Sequence, residues 1–295
     1  MKNSPAAAYA HRWFTSRDGL SLYARDYPGS HGPAQLPVIC IHGLTRNSAD
    51  FDHIATRIAQ TGRRVISVDV RGRGRSERAC NPMTYQPQFY ALDVVDLFEQ
   101  LGIKEAVFLG TSMGGLITMA LAALKPGLIA AAILNDIGPE VAEAGLARIN
   151  EYAGRPVETK TWADAVAYVK QHNAVALPHY KAADWDAFAR RVFRENEAGE
   201  PVLDYDPDIS VPITVAGPEA LVPSLWPFFS KLAGRRPMLL IRGAISDLLD
   251  EPIAAKMRKK APHMGYVEVP NVGHAPMLDE PEAEAAILSF LGEVA

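Results

Sequence analysis

The sequence has little that could cross-link it or hold a metal. Its 295 residues include two cysteines, Cys40 in the apolar run "PVICIHG" and Cys80 in a polar stretch. Two isolated cysteines make neither a disulfide framework nor a C-x-x-C redox pair. No H-E-x-x-H, P-loop or Cys/His cluster occurs, so no metal and no nucleotide cofactor is expected. Gly72-x-Gly74 lacks the third glycine of a dinucleotide fingerprint. No apolar run reaches the roughly 18 residues of a membrane-spanning helix. The opening "MKNSPAAAYAHRWF" has no apolar signal-peptide core. Positive charge is also scarce. The formal net charge is −4, whereas a protein that neutralises phosphates is normally basic. The stretch "RGRGRSER" at 71–78 has no interleaved aromatic residue, so it does not read as a nucleic-acid arm. The expectation is a cytoplasmic monomer or homodimer whose partner is a small molecule, not nucleic acid or membrane.

Apolar material is plentiful. Hydrophobic residues make up 48% of the chain and charged residues 22%, which supports a sizeable core and argues against disorder. "RWFTS" and "LSLYARDY" flank the turn signal Arg17-Asp18-Gly19 and read as an antiparallel start. The texture then changes. "LPVICIHG", "RRVISVDV", "EAVFLG" and "LIAAAILND" are apolar runs without alternation. Helical segments separate them: Phe51, Ile54 and Ile58 share one helix face, and Phe89, Leu92, Val95 and Leu101 another. Continuous apolar strands between amphipathic helices predict a mostly parallel sheet covered on both faces.

The rhythm breaks after "NDIGPE". Residues 138–210 contain helical pieces, "VAEAGLARINEYAG", "TWADAVAYVKQHN" and "DWDAFARRVFREN", with no buried strand among them. It resumes with "RPMLLIRG", "PIAAKMRKKAP", "GYVEVP" and "EPEAEAAILSFLGEV". One core domain, 1–137 and 211–295, is therefore interrupted by a helical insertion at 138–210. Long excursions from a compact domain often act as lids.

Within the core, Gly110-Thr111-Ser112-Met113-Gly114 places a serine between a strand and a helix. Such a serine is either a helix cap or a nucleophile lifted above the sheet edge on a sharp turn. A nucleophilic serine needs a base, and the base needs an orienting acid. Of eight histidines, His274 in "PNVGHAPMLDEP" lies in a loop after a strand, at the same sheet edge as Ser112. His42 also ends a strand, but next to Gly43 it suits a loop-shaping role. His11, His31, His53, His172, His179 and His263 read as surface or structural. Three carboxylates follow strands: Asp247 in "MLLIRGAISDLLDEP", Asp136 in "ILNDIGP" and Asp69 in "VISVDVRGRGRS". Asp247 is favoured, because it gives the order Ser…Asp…His on successive loops, with Asp136 next. The backbone N–H groups of Met113 and Leu44 are the expected oxyanion donors.

The blocks "HGLTRNSADF" at 42–51, "DVRGRGRS" at 69–76, "GTSMGG" at 110–115, "NDIGP" at 135–139, "RGAISD" at 242–247 and "GHAPMLDEP" at 273–281 together resemble the α/β-hydrolase fold family, lidded esterase type. That resemblance implies a mostly parallel eight-stranded sheet with helices on both faces and a helical cap after the sixth strand. It also implies a Ser-Asp-His triad, matched here by Ser112, Asp247 and His274. The oxyanion loop reads His-Gly-Leu, as in relatives with small substrates. Serine at the nucleophile position argues against the dehalogenase and epoxide-hydrolase branches, which use a carboxylate. The implied activity is hydrolysis of a small carboxylic ester or lactone through an acyl-enzyme. The alternatives are a carbon–carbon bond hydrolase or lyase with the same triad, and a low-turnover ligand receptor. Trp162 and Trp185 are candidate substrate contacts in the insertion; Tyr168, Tyr180, Phe188 and Trp226 are further aromatic candidates.

Overall fold

The computed structural model describes residues 9–29, 35–216, 224–234 and 236–294; His31 lies outside them. Eight strands form one sheet. In chain order they are β1 (Ala10–Thr15), β2 (Ser21–Tyr27), β3 (Val38–Ile41), β4 (Val65–Asp69), β5 (Ala106–Thr111), β6 (Ile129–Asn135), β9 (Met238–Gly243) and β10 (Gly265–Val269). A separate two-stranded hairpin holds β7 (Phe193–Glu195) and β8 (Pro201–Leu203). The large sheet runs β1-β2-β4-β3-β5-β6-β9-β10. β2 is antiparallel to both its neighbours, and every pairing from β4 to β10 is parallel. The expected sheet and its antiparallel start are thus present.

Burial on both faces explains the unbroken apolar runs. Along β3, Ile39 and Ile41 face one apolar cluster, while Val38 and Cys40 face the other. The first cluster is completed by α2 (Pro87–Leu101), α3 (Met113–Leu124), α8 (Trp226–Ala233) and α9 (Glu251–Lys260). The second is completed by α1 (Asp52–Gln60) and α10 (Pro281–Glu293). On α2 the expected face is the buried one only in part: Val95 is buried, but Phe89, Leu92 and Leu101 are half-buried, and Tyr90, Val94, Leu97 and Phe98 point into the core instead. Two acids mislead the pattern. Asp93 and Asp96 also face inward, because Arg71 and Arg17 pair with them.

Between β6 and β9 the chain leaves the sheet. It forms α4 (Glu143–Tyr152), α5 (Trp162–Asn173), α6 (Ala182–Val192), the β7–β8 hairpin and α7 (Val211–Ala216). The hairpin was not expected, since three-residue strands are too short to show alternation. Backbone hydrogen bonds tie this excursion to the core at three corners. Gly145 N–H donates to the Asp247 carbonyl at 2.9 Å, Gly273 N–H to Ala176 at 2.7 Å, and Gly74 N–H to Asp204 at 2.8 Å. Parallel strands bring the loops after β3, β5, β6, β9 and β10 to one sheet edge, and the excursion starts from that edge.

Candidate active site

Ser112 sits between β5 and α3 with φ 51° and ψ −115°. A non-glycine residue adopts this conformation only when its surroundings impose it. They do so by close approach: a Cβ on Gly110 would lie 2.5 Å from the Gly114 carbonyl carbon, and one on Gly114 would be driven into the Ile41 carbonyl. Both glycines are therefore needed for the turn to fit against β3. The side chain of Ser112 makes no capping bond to α3, which removes the cap reading. Its hydroxyl instead donates to His274 Nε2 at 2.9 Å.

His274 Nδ1–H donates to Asp136 Oδ2 at 2.8 Å. A carboxylate acceptor on Nδ1 leaves Nε2 as the lone-pair nitrogen, the tautomer a general base requires. Asp136 is fully buried at the end of β6, with φ 55°, a left-handed conformation that aspartate tolerates. Its Oδ1 also accepts Gly243 N–H at 2.8 Å, and its Oδ2 accepts the Ser246 hydroxyl at 2.6 Å.

The structure thus corrects the acid assignment. Asp247, expected to face His274, is bound by Arg148 of α4 through two hydrogen bonds of 2.6 and 2.9 Å. Burial raises the Asp247 pKa, but the hydrogen bonds and charge of Arg148 outweigh it and hold the carboxyl below its usual range. Strand adjacency separates the two acids: β6 pairs directly with β5, the strand that leads into Ser112, whereas β9 lies one strand further out. Arg148, the competing partner, belongs to the insertion and could not be placed from sequence. Asp69, the third candidate, is buried and accepts Ser48 N–H at 2.7 Å and Arg75 N–H at 2.9 Å.

A cavity of about 100 Å³ opens at Ser112 and His274. Drug-sized pockets hold several times that volume, so the space suits a short chain. Its core wall includes Gly43, Leu44, Phe51 and Met277. From the insertion come Ile149, Tyr152, Val169, Leu177, Phe188 and Val192. Leu44 occupies the turn closed by Arg46 N–H to the Gly43 carbonyl at 3.2 Å. His42 shapes that turn, as expected. Its Nδ1–H donates to the Gly43 carbonyl at 2.7 Å and its Nε2 accepts Val70 N–H at 3.0 Å. Burial lowers its pKa to about 3, so it stays neutral. Behind the turn lies Arg73, from the arginine-rich stretch at 71–78. It is 1% exposed and has no carboxylate partner among the described residues. It donates to the Leu44 carbonyl at 3.0 Å, to the Arg71 carbonyl and Tyr90 hydroxyl at 2.9 Å, and to Met113 Sδ at 3.7 Å.

The proposed aromatic contacts fall elsewhere. Trp185 is buried behind Phe188, with ring centroids 6.0 Å apart, and Trp162 donates its indole N–H to Glu195 at 2.9 Å. Neither lines the cavity. Tyr180 packs on Trp185, Tyr168 on Phe193, and Trp226 lies on α8; of the aromatic candidates, Phe188 reaches the cavity wall.

A profile of the alpha/beta hydrolase fold matches residues 37–281. The chain belongs to the α/β-hydrolase fold family. It is 37% identical over 256 residues to a 3-hydroxybutyrate-oligomer hydrolase of Cupriavidus necator, covering 85% of this chain and 86% of that protein. A 2-(acetamidomethylene)succinate hydrolase of Mesorhizobium japonicum is 29% identical over 250 residues, 82% of each chain. The crystal structure of an α/β hydrolase from Novosphingobium aromaticivorans superposes with a TM-score of 0.90 at 43% identity, covering 98% of this chain and 99% of that one. Among the described residues, no helix of this α/β hydrolase is long and apolar enough to cross a membrane.

Proposed function

We propose that the protein is a serine hydrolase of short carboxylic esters, with Ser112, His274 and Asp136 as its triad. The hydrogen-bonded line from Ser112 through His274 to Asp136 carries this reading. His274 Nε2 takes the hydroxyl proton as Ser112 Oγ attacks the carbonyl carbon, and Asp136 stabilises the imidazolium. The oxyanion faces the Leu44 and Met113 N–H groups; neither shows a backbone acceptor among the described residues. His274 then protonates the departing alcohol, and water repeats the sequence on the acyl-enzyme.

The excursion at 138–210 acts as a cap, since its helices supply the apolar wall that excludes water. The small cavity and the similarity to a 3-hydroxybutyrate-oligomer hydrolase favour short hydroxy-acid esters. The test is kcat/KM across p-nitrophenyl esters from acetate to dodecanoate, beside 3-hydroxybutyryl-3-hydroxybutyrate, with Ser112→Ala as control. Peak activity at two to four carbons is expected. A rising rate towards dodecanoate, or equal turnover by Ser112→Ala, overturns the reading. The relative named for 2-(acetamidomethylene)succinate keeps hydrolysis of a non-ester bond as a second reading, tested by adding that compound to the panel.

A further inference from the structure

One wall of the catalytic cavity is charged, and the charges do not balance. Arg46 and Asp50 both line it. Arg46 Nε donates to Asp50 Oδ2 at 2.7 Å, and its Nη2 donates to Asp50 Oδ1. Its Nη1 has no hydrogen-bond partner among the described residues. A second guanidinium stands beside the pair without lining the cavity: Arg191 Nε lies 3.8 Å from Asp50 Oδ1. That nitrogen is buried with no hydrogen-bond partner. The two cations flank Phe188, with guanidinium carbons 4.0 and 5.9 Å from the ring centroid. Among the described ion pairs, Asp50 is the one carboxylate paired with either arginine, so Arg46 Nη1 and Arg191 Nε are left as unmatched donors. The Phe188 ring against both guanidinium groups lowers the local polarity, which strengthens attraction for an anion.

The charge is also close to the nucleophile. A Cβ built on Gly43 would lie 3.6 Å from Arg46 Cγ and 3.7 Å from Ser112 Cβ. The two side chains therefore root against the same spot beside Gly43, and both line the cavity.

We propose that Arg46, with Arg191 beside it on the far side of Asp50, forms a carboxylate-recognising end of this cavity, so that the preferred substrates are short esters carrying a free carboxylate near the scissile bond. A hydroxy-acid dimer has that shape, whereas a plain alkyl ester leaves the donors unmatched. The proposal rests on the reading of Ser112 as an ester-cleaving nucleophile. Asp50 accepts from the Arg46 fork and offsets part of its charge, so it competes with a bound carboxylate.

The experiment compares 3-hydroxybutyryl-3-hydroxybutyrate with its methyl ester, reading cleavage of the internal ester and taking the ratio of kcat/KM for acid over ester. A charge-assisted contact predicts a ratio of about 10–100 in the wild type. Arg46→Met and Arg191→Met should each lower the ratio, and Asp50→Asn should raise it. The ratio is internal to each variant, so it does not depend on the variant's overall rate. A wild-type ratio near one overturns the proposal, even if every variant fails to fold. So does a ratio unchanged in both arginine variants, or one that falls in Asp50→Asn. Labelling of Ser112 by a fluorophosphonate and hydrolysis of p-nitrophenyl butyrate are measured alongside. If both succeed while the ratio is one, only the carboxylate site is lost; if both fail, the esterase reading falls with it.

Discussion

Replacing Asp136 by asparagine separates the geometry of the proposed triad from its charge. Asparagine tolerates the left-handed backbone that Asp136 adopts at φ 55°, so the β6 turn should survive. The side chain has two ways to sit. If its NH2 takes the place of Oδ2, it must donate to His274 Nδ1, and the imidazole proton moves to Nε2. That nitrogen then presents N–H to Ser112 and has no lone pair for the hydroxyl proton. If the amide flips, its NH2 confronts Gly243 N–H, a donor against a donor 2.8 Å away in the present structure. The first arrangement costs less, so the wrong tautomer should dominate, and kcat should fall roughly 10⁴-fold, the penalty a triad suffers on that change. Asp247→Asn should lose at most about 10-fold, because it touches only the Arg148 pair, an interaction of about 1 kcal/mol when partly exposed. The assay is single-turnover hydrolysis of p-nitrophenyl butyrate, with a thermal melt on each variant. A larger loss in Asp247→Asn than in Asp136→Asn, with both folded, would refute the assignment of the acid.

Other outcomes follow from the same contacts. Arg73→Met removes the fork that fixes the Leu44 carbonyl from behind; as a positioning residue it should lower kcat about 10–100-fold, less than loss of a direct oxyanion donor, with KM little changed. A raised KM at unaltered kcat would contradict that role. Trp185→Ala should cost roughly 3–5 kcal/mol of stability as a core truncation, while leaving acyl-chain preference unchanged, as read by urea unfolding and an ester series. Burial next to Asp69 raises the Asp204 carboxyl to about 6, so the folded state holds that proton more tightly than the unfolded chain. Stability from this group is present at low pH and lost as pH rises from about 4 through 6. Asp204→Asn should therefore raise the melting temperature at pH 8 and change it little at pH 4; equal effects at both would count against the buried acid pair.

Much of this was legible in the residues. The apolar runs at 38–41, 65–69, 106–111 and 129–135 became neighbouring sheet strands, because a strand buried on both faces carries no polar alternation. Ser112 and His274 were legible as strand-end residues at one edge, and His42 as the shaper of its loop. The acid was not, since Asp136 and Asp247 both follow strands and only Arg148, from a distant segment, engages the second. The cavity wall was equally hidden. Trp162 and Trp185 are conspicuous by size, but helix orientation turns Phe188 and Tyr152 inward instead. Arg46, Arg73 and Arg191 carry no local signal, because their roles depend on what the fold places beside them: a lone carboxylate, a carbonyl, a sulfur.

The central claim is that Ser112 is a nucleophile activated by His274. Intact-mass and peptide mass spectrometry after treatment with a fluorophosphonate tests it most directly. One adduct per chain is expected, on the peptide containing Ser112, with ester hydrolysis lost in step with labelling and no adduct on Ser112→Ala. Labelling at another residue, or hydrolysis that persists in a fully labelled protein, would contradict the account.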